Sequence, residues 1–225
     1  MMVKILSIKS VASPVPKSNT ASSHEKMVIN SMKMITKLFF PLLAVFALAG
    51  CATSTNTLDV NPKMALPQQD PTLQGITISI NGADVRQDKA LAKVNRDGEL
   101  VTLTPSRDLR FLLQEVLENQ MTKRGYMVGP SGAVDLQIVV NQLYADVKEG
   151  NLRYNITTNA DISIIAQAKN GNKQVKNYRS VYNEQGAFTA SNSKITNAVN
   201  NAMTDIVANM AQDTSISDFI KANAR

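Results

Sequence analysis

The sequence predicts an α+β fold: a mainly antiparallel sheet with two amphipathic helices packed on one face. Three observations predict it. Residues 106–124 and 194–212 each repeat apolar side chains at three- and four-residue spacing, which puts one apolar stripe on each helix. Between them, residues 134–188 alternate apolar and polar side chains, the period of strands with one wet face. The links near 148–151 and 170–171 are too short for a crossover, so those strands run antiparallel. Neither a striped helix nor a one-sided sheet buries its apolar face alone, so the two kinds of element must pack together.

Taken in chain order, Ala52–Gln74 is rich in Thr, Ser, Asn, Pro and Gln and reads as a flexible tether spanning about 25–30 Å. Within it, Leu58–Leu66 can still add an edge strand. Gly75–Ile80 alternates Ile76, Ile78 and Ile80 as a strand, and Asn81-Gly82 punctuates it. Ala90–Val94 and Glu99–Leu103 flank Asp97-Gly98, a hairpin turn signal.

Ser106–Arg124 is the clearest helix, with Leu109, Leu112, Leu113, Val116, Leu117 and Met121 on its stripe. Thr104, Pro105 and Ser106 offer start signals, Lys123 and Arg124 suit the negative end of the dipole, and Gly125 suits a left-handed stop. Tyr126–Val128 is extended and Gly129-Pro130-Ser131-Gly132 turns. In Val134–Val147 the alternation of Leu136, Ile138 and Val140 changes phase before Leu143, which predicts a bulge near Asn141-Gln142.

Leu152–Ala168 carries the longest alternation, and Asn170-Gly171 turns it into Gln174–Phe188. Its polar neighbours, with Tyr178 or Tyr182 from the next strand, form a candidate binding face, although a solvated sheet face explains them as well. The second helix, Lys194–Gln212, takes Ser191 or Ser193 as cap. Ser217–Ala222 ends the chain as a short helix docking Phe219 and Ile220.

Upstream of these elements, Lys33 and Lys37 precede the apolar run Leu38–Ala49, about half the length a membrane-crossing helix needs. A basic start, a short apolar middle and small residues are the anatomy of a secretory signal. Leu48-Ala49-Gly50-Cys51 resembles the lipobox of bacterial lipoproteins. That resemblance implies cleavage before Cys51, acylation of its thiol and of the new amine, and a membrane held through lipid. Several acyl chains make such an anchor nearly permanent. Ala52 after the cysteine implies sorting to the outer membrane, periplasmic side. The expected organisation is a spurious or disordered extension at 1–33, a signal peptide at 34–50, a lipidated tether at 51–74 and a single α+β periplasmic domain at 75–225.

Composition narrows the chemistry. Most of the formal charge of +6 belongs to the leader: residues 1–50 hold six Lys and one acid, leaving 18 Lys+Arg against 17 Asp+Glu. No basic footprint for nucleic acid is left. His24, the sole histidine, lies in the leader, the sole cysteine is Cys51, and there is no Trp. Ser-His-Asp triads, Cys/His pairs and His- or Cys-rich zinc sites are thereby excluded from a chain starting at Cys51. Ser191-Asn192-Ser193-Lys194 fits a Ser-x-x-Lys pattern, with Ser191 as nucleophile and Lys194 as its proton acceptor, but the companion motifs are absent and a helix cap explains it. Asp84 with Asp88, or Glu115 with Glu118, offer paired carboxylates, yet a solvated surface explains them too. Asp59, Asp84 and Asp88 do not form a calcium loop.

The segments Phe40-Pro41-Leu42, Leu66-Pro67-Gln68-Gln69-Asp70-Pro71, Ser79-Ile80-Asn81-Gly82-Ala83-Asp84, Ser106–Leu117, Arg124–Pro130, Gln142–Val147 and Gln212–Ile216, together with the lipobox, resemble the YajG-type lipoprotein family of enterobacteria. The resemblance covers almost everything from Met34 to Arg225, and residues 1–33 depart from it. It implies an envelope lipoprotein and no reaction. The expected function is a non-enzymatic binding or accessory role at the outer membrane, with an envelope protein as partner and no cofactor, catalytic residue or metal. The alternative is a binder of a lipid or peptidoglycan fragment in a groove between sheet and helices. An enzyme using only Asp, Glu, Ser or Lys is the third reading.

Overall fold

The computed structural model describes residues 56–224. Its strands are β1 (Thr57–Leu58), β2 (Thr77–Asp84), β3 (Ala92–Arg96), β4 (Glu99–Pro105), β5 (Met127–Val128), β6 (Val134–Glu149), β7 (Arg153–Ala168) and β8 (Lys173–Ala187). The helices are α1 (Leu109–Arg124), α2 (Asn192–Gln212) and α3 (Ser215–Asn223), and a 3-10 turn covers Pro71–Leu73. The fold is α+β, as the patterns predict. The large sheet has order β5-β2-β6-β7-β8, and β1-β4-β3 form a second, small sheet rather than joining it.

The three longest strands, β6, β7 and β8, pair antiparallel, while β2 runs parallel to β6 and β5. A parallel neighbour needs a long crossover, and the β3–β4 hairpin and α1 together supply it. The bulge falls between Val140 and Gln142, where the phase change places it. Asp97 and Gly98 both take positive φ (53° and 89°) at the β3–β4 turn, the backbone that a two-residue hairpin requires.

Helix α1 packs on β2 and β6, and α2 packs on β6, β7 and β8, both on the apolar face. That core holds Ile78, Leu136, Ile138, Ile156, Ile162, Ile206 and the α1 leucines, all nearly inaccessible to solvent. Each such side chain contributes about 1.5–3 kcal/mol through removal from water. Helix α3 packs on β7 and β8 and buries Ile216 and Ile220, with Phe219 half-buried.

Several expectations are corrected. Asn81-Gly82 does not end a strand; β2 continues to Asp84. Gly82 is there for close approach, since a Cβ would lie 2.2 Å from the carbonyl oxygen of Arg110 in the first turn of α1. Helix α1 starts at Leu109, with Asp108 as cap, its Oδ1 accepting from Arg110 N at 2.9 Å. Thr104 and Pro105 are instead consumed by β4, because β1 pairs with them and Ser106 N donates to Leu58 O.

The tether expected through Gln74 is also corrected from Thr57 onward. Leu58, Val60 and Leu73 are buried in the core. The strap is pinned by Asn61 N donating to Asn200 Oδ1 at 2.7 Å and Lys63 N to Thr204 Oγ1 at 3.0 Å. Farther along, Gln120 Nε2 donates to Ala65 O, and Asp70 N donates to Arg124 O. On the strap's side, all four of these bonds are made by backbone N–H or C=O groups, which side-chain composition does not announce.

Candidate functional site

Cys51, the expected acylation site, and the signal segment before it lie outside the described residues. Among the residues described, Ser191 is the cap of α2, its Oγ accepting from Lys194 N at 3.4 Å. The Lys194 ammonium turns away to Glu184, at 3.6 Å, so the serine and the lysine side chains are not brought together as nucleophile and base. Serine here satisfies an otherwise orphaned N–H, as the capping reading holds.

The paired carboxylates part company too. Asp84 is held by Arg86 (2.9 Å) and Lys89 (3.1 Å), whereas Asp88 meets Lys93 (2.7 Å) and accepts from Ala90 N. Burial pushes the Asp84 carboxyl up, but the hydrogen bonds from Arg86 and Lys89 outweigh it and hold the acid below its usual range. Glu115 pairs with Arg107, and Glu118 accepts from Gln114. A general acid needs a raised pKa, and the cationic partners of Asp84 push the other way. Asp84 and Arg86 line a recess of about 390 Å³ at the start of α1, where every lining acid already has a cation. The buried Arg86 also donates to Ala90 O and Leu143 O, tying the segment just before β3 to β6.

The opposite face of the large sheet is uncovered by any described helix and displays the polar ladder of β7. Register now settles which side chains share it. Tyr178 stands opposite Ile162 and Tyr182 opposite Thr158, so both tyrosines face the core, not the ladder. Burial pushes the Tyr178 hydroxyl pKa up. The tyrosine that joins the polar face is Tyr144 on β6, opposite Asn159, because the bulge switches the parity of β6. Asn141, the extra residue at the bulge, donates from Nδ2 to Asp161 Oδ1 at 3.0 Å and to Ser163 Oγ. Ser163 Oγ donates to Asn177 Oδ1 at 2.7 Å, and Arg179 Nε donates to Asp161 Oδ2 at 2.6 Å. Beside this fixed network, Val175 and Val181 are 50% and 62% exposed. Preordered hydrogen-bonding groups flanked by exposed apolar side chains suit a protein interface.

Among the described residues, an open groove of about 660 Å³ lies between the strap at 65–71, the end of α2 and α3. Asp70 and Lys221 close one side with an ion pair of 2.7 Å. The Lys221 ammonium, followed by Thr72, holds the Asp70 carboxyl down to about 2. Arg124 forms part of the wall and is only 8% exposed. Its Nη2 donates to Met210 O, Ala211 O and Asp213 O at 3.1, 2.8 and 2.6 Å. These are carbonyls at the C-terminal end of α2, so a residue of α1 supplies the cation that the dipole of α2 favours. Burial lowers the Arg124 pKa, opposed by nearby Tyr126, Tyr178 and Asp213. Ser217 Oγ, also in the wall, is buried with no hydrogen-bond partner.

The pattern of the sequence points to Arg124 only as a dipole-complementing residue of its own helix; that it serves another helix has no local signal. Among the described residues no cluster of three His, Cys, Asp or Glu is placed to hold a metal ion, and no helix is long and apolar enough to cross a membrane.

Comparison with known proteins joins these observations. A family model described as an uncharacterized lipoprotein matches residues 62–221. The uncharacterized lipoprotein YajG of Escherichia coli K12 is 66% identical over 192 residues, spanning 85% of this chain and 100% of the relative, and its counterpart from strain O6:H1 matches equally. Among solved structures, a Xanthomonas campestris protein is 12% identical with a TM-score of 0.48, covering 72% of this chain and 96% of its own. A Helicobacter pylori homologue of neuraminyllactose-binding hemagglutinin is 7% identical with a TM-score of 0.46, covering 74% and 97%. No enzymatic activity is part of the family's description. With the match running from the strap to α3, the chain belongs to the YajG-type family of lipoproteins.

Proposed function

We propose that this lipoprotein is acylated on Cys51, held at the periplasmic side of the outer membrane, and acts without catalysis by presenting the open polar face of its large sheet to another envelope protein. The observation that carries the reading is that face itself. It is built on two strands of 16 residues, fixed by the Asn141–Asp161–Ser163–Asn177 network, and flanked by exposed Val175 and Val181. A tether through lipid keeps such a surface near one membrane and raises its effective concentration for partners there.

A photo-crosslinking residue in place of Asn159 tests this in cells, with Asn119 on the exposed side of α1 as control position. A defined envelope protein captured at 159 and not at 119 supports the reading; capture at neither, or equally at both, overturns it. Palmitate labelling of the wild type against Cys51→Ala tests the anchor separately. Label retained in Cys51→Ala overturns acylation at that thiol.

A second reading is favoured by the groove of about 660 Å³, a volume suited to a small ligand. In it the chain binds a lipid or peptidoglycan fragment there. A thermal-shift screen of the detergent-solubilised full chain with cell-wall fragments and phospholipids tests it, and no stabiliser among them overturns it.

A further inference from the structure

The far edge of the large sheet carries a symmetry of its own. β8 is 15 residues long and lies at the end of the strand order, and among the described residues nothing pairs with its outer side. Phe188 N donates to Leu152 O, and Ala168 N donates to Asn172 O. These bonds fix the ladder phase: even-numbered residues of β8 bond to β7, and the odd-numbered ones turn their N–H and C=O groups to the open edge. A bare edge of that length is a template for another strand, and proteins manage such edges explicitly.

The residues on this edge are close to a palindrome. Around Ser180 the order is Lys176-Asn177-Tyr178-Arg179-Ser180-Val181-Tyr182-Asn183-Glu184. Ser180 is also the midpoint of Lys173–Ala187. We propose that β8 is the interface of a two-fold homodimer, pairing antiparallel with β8 of a second copy about Ser180, and independent of the binding role above.

In that register every odd position meets an odd position, so the free edge groups of one strand face those of the other. Asn177 stands opposite Asn183 of the second copy, and Tyr178 opposite Tyr182, an aromatic cross-strand pair. Lys176 stands opposite Glu184 of the second copy, twice over. Within one chain Lys176 already meets Asp213 at 2.7 Å and Glu184 meets Lys194 at 3.6 Å. Pairing would therefore build a row of alternating sign across the interface, Asp213, Lys176, then Glu184 and Lys194 of the second copy.

Neighbouring registers lose this match. Centring on Arg179 sets two arginines directly opposite, and centring on Val181 sets Lys176 against Gly186 and Glu184 against Tyr178. In the Ser180 register Arg179 faces Val181 and its charge is held by Asp161 of its own sheet, at 2.6 Å.

Cysteine crosslinking of the full chain in intact membranes tests both pairing and register. The Ser180 pair is a non-hydrogen-bonded site with Cα atoms about 4.5 Å apart, within disulfide reach. Gln185 and its symmetry mate would be about 33 Å apart at 3.3 Å per residue. Against the wild-type background, Ser180→Cys is expected to give about tenfold more reductant-sensitive dimer than Gln185→Cys, as the difference in reach requires. Adding Lys176→Glu should abolish that dimer, and Lys176→Glu with Glu184→Lys should restore it, although the double exchange worsens both contacts within one chain. Equal or absent crosslinking at 180 and 185 overturns the proposal, and so does a charge exchange that fails to rescue while the variant remains folded by circular dichroism.

Discussion

Replacing Arg124 by Met isolates what a buried cation contributes to this fold. The side chain is 8% exposed and its Nη2 reaches three carbonyl oxygens, of Met210, Ala211 and Asp213. One nitrogen carries two hydrogens, so the three contacts amount to about two full bonds, each contributing about 1.5–3 kcal/mol as hydrogen bonds to a charged group. Methionine keeps the apolar stem and its packing. Removing the charge also removes its desolvation penalty, the same penalty that lowers the Arg124 pKa. The net expectation is a loss of about 2–4 kcal/mol, since carbonyls at the end of α2 remain buried without donors. In urea titration with an m-value of about 2 kcal/mol/M, the midpoint falls by about 1–2 M. The control is Lys123→Met, one residue earlier and exposed, expected to stay within about 0.5 kcal/mol of wild type. A midpoint for Arg124→Met indistinguishable from that of Lys123→Met would refute the reasoning.

Other positions carry predictions of either sign. Thr158 is fully buried and its Oγ1 has no hydrogen-bond partner, so Thr158→Val is expected to stabilise by about 1 kcal/mol in the same titration; a loss would contradict the orphaned hydroxyl. Gly82→Ala places a Cβ 2.2 Å from the Arg110 carbonyl oxygen, and the shift of α1 it forces costs about 3 kcal/mol, read as a lower melting temperature. For Asp70, the folded pKa of about 2 lies below the unfolded value. Its contribution is therefore present above about pH 4 and is lost as pH falls toward 2. The Thr72 amide resonance followed by NMR should move through that window and stay still in Asp70→Asn.

Much of the fold was legible residue by residue. The leucine stripe of α1, the parity of β7 and the phase change at Asn141 each depend on side chains within a few positions, and each predicted its element. The polar strap was misread for the converse reason. Its bonds run to Asn200 and Thr204, 139 and 141 residues away, and nothing in the local composition of 57–73 announces them. Gly82 misled in a similar way: beside Asn81 it resembles a turn, and only the docking of α1 shows that it clears space for a carbonyl. The candidate surface was half legible. Its asparagines and threonines follow from alternation, while its tyrosine depends on the registers of two ladders, which exchange Tyr178 and Tyr182 for Tyr144.

Periodicity, the Ser191 cap of α2 and the basic-apolar-Cys order of residues 33–51 are written along the chain, because helix and strand geometry couples only near neighbours. Which strand lies beside which, where the Arg124 charge goes and which edge stays open are set by contacts between distant segments. Those contacts exist only once burial has brought the segments together, and the free energy that selects among them belongs to the packed whole.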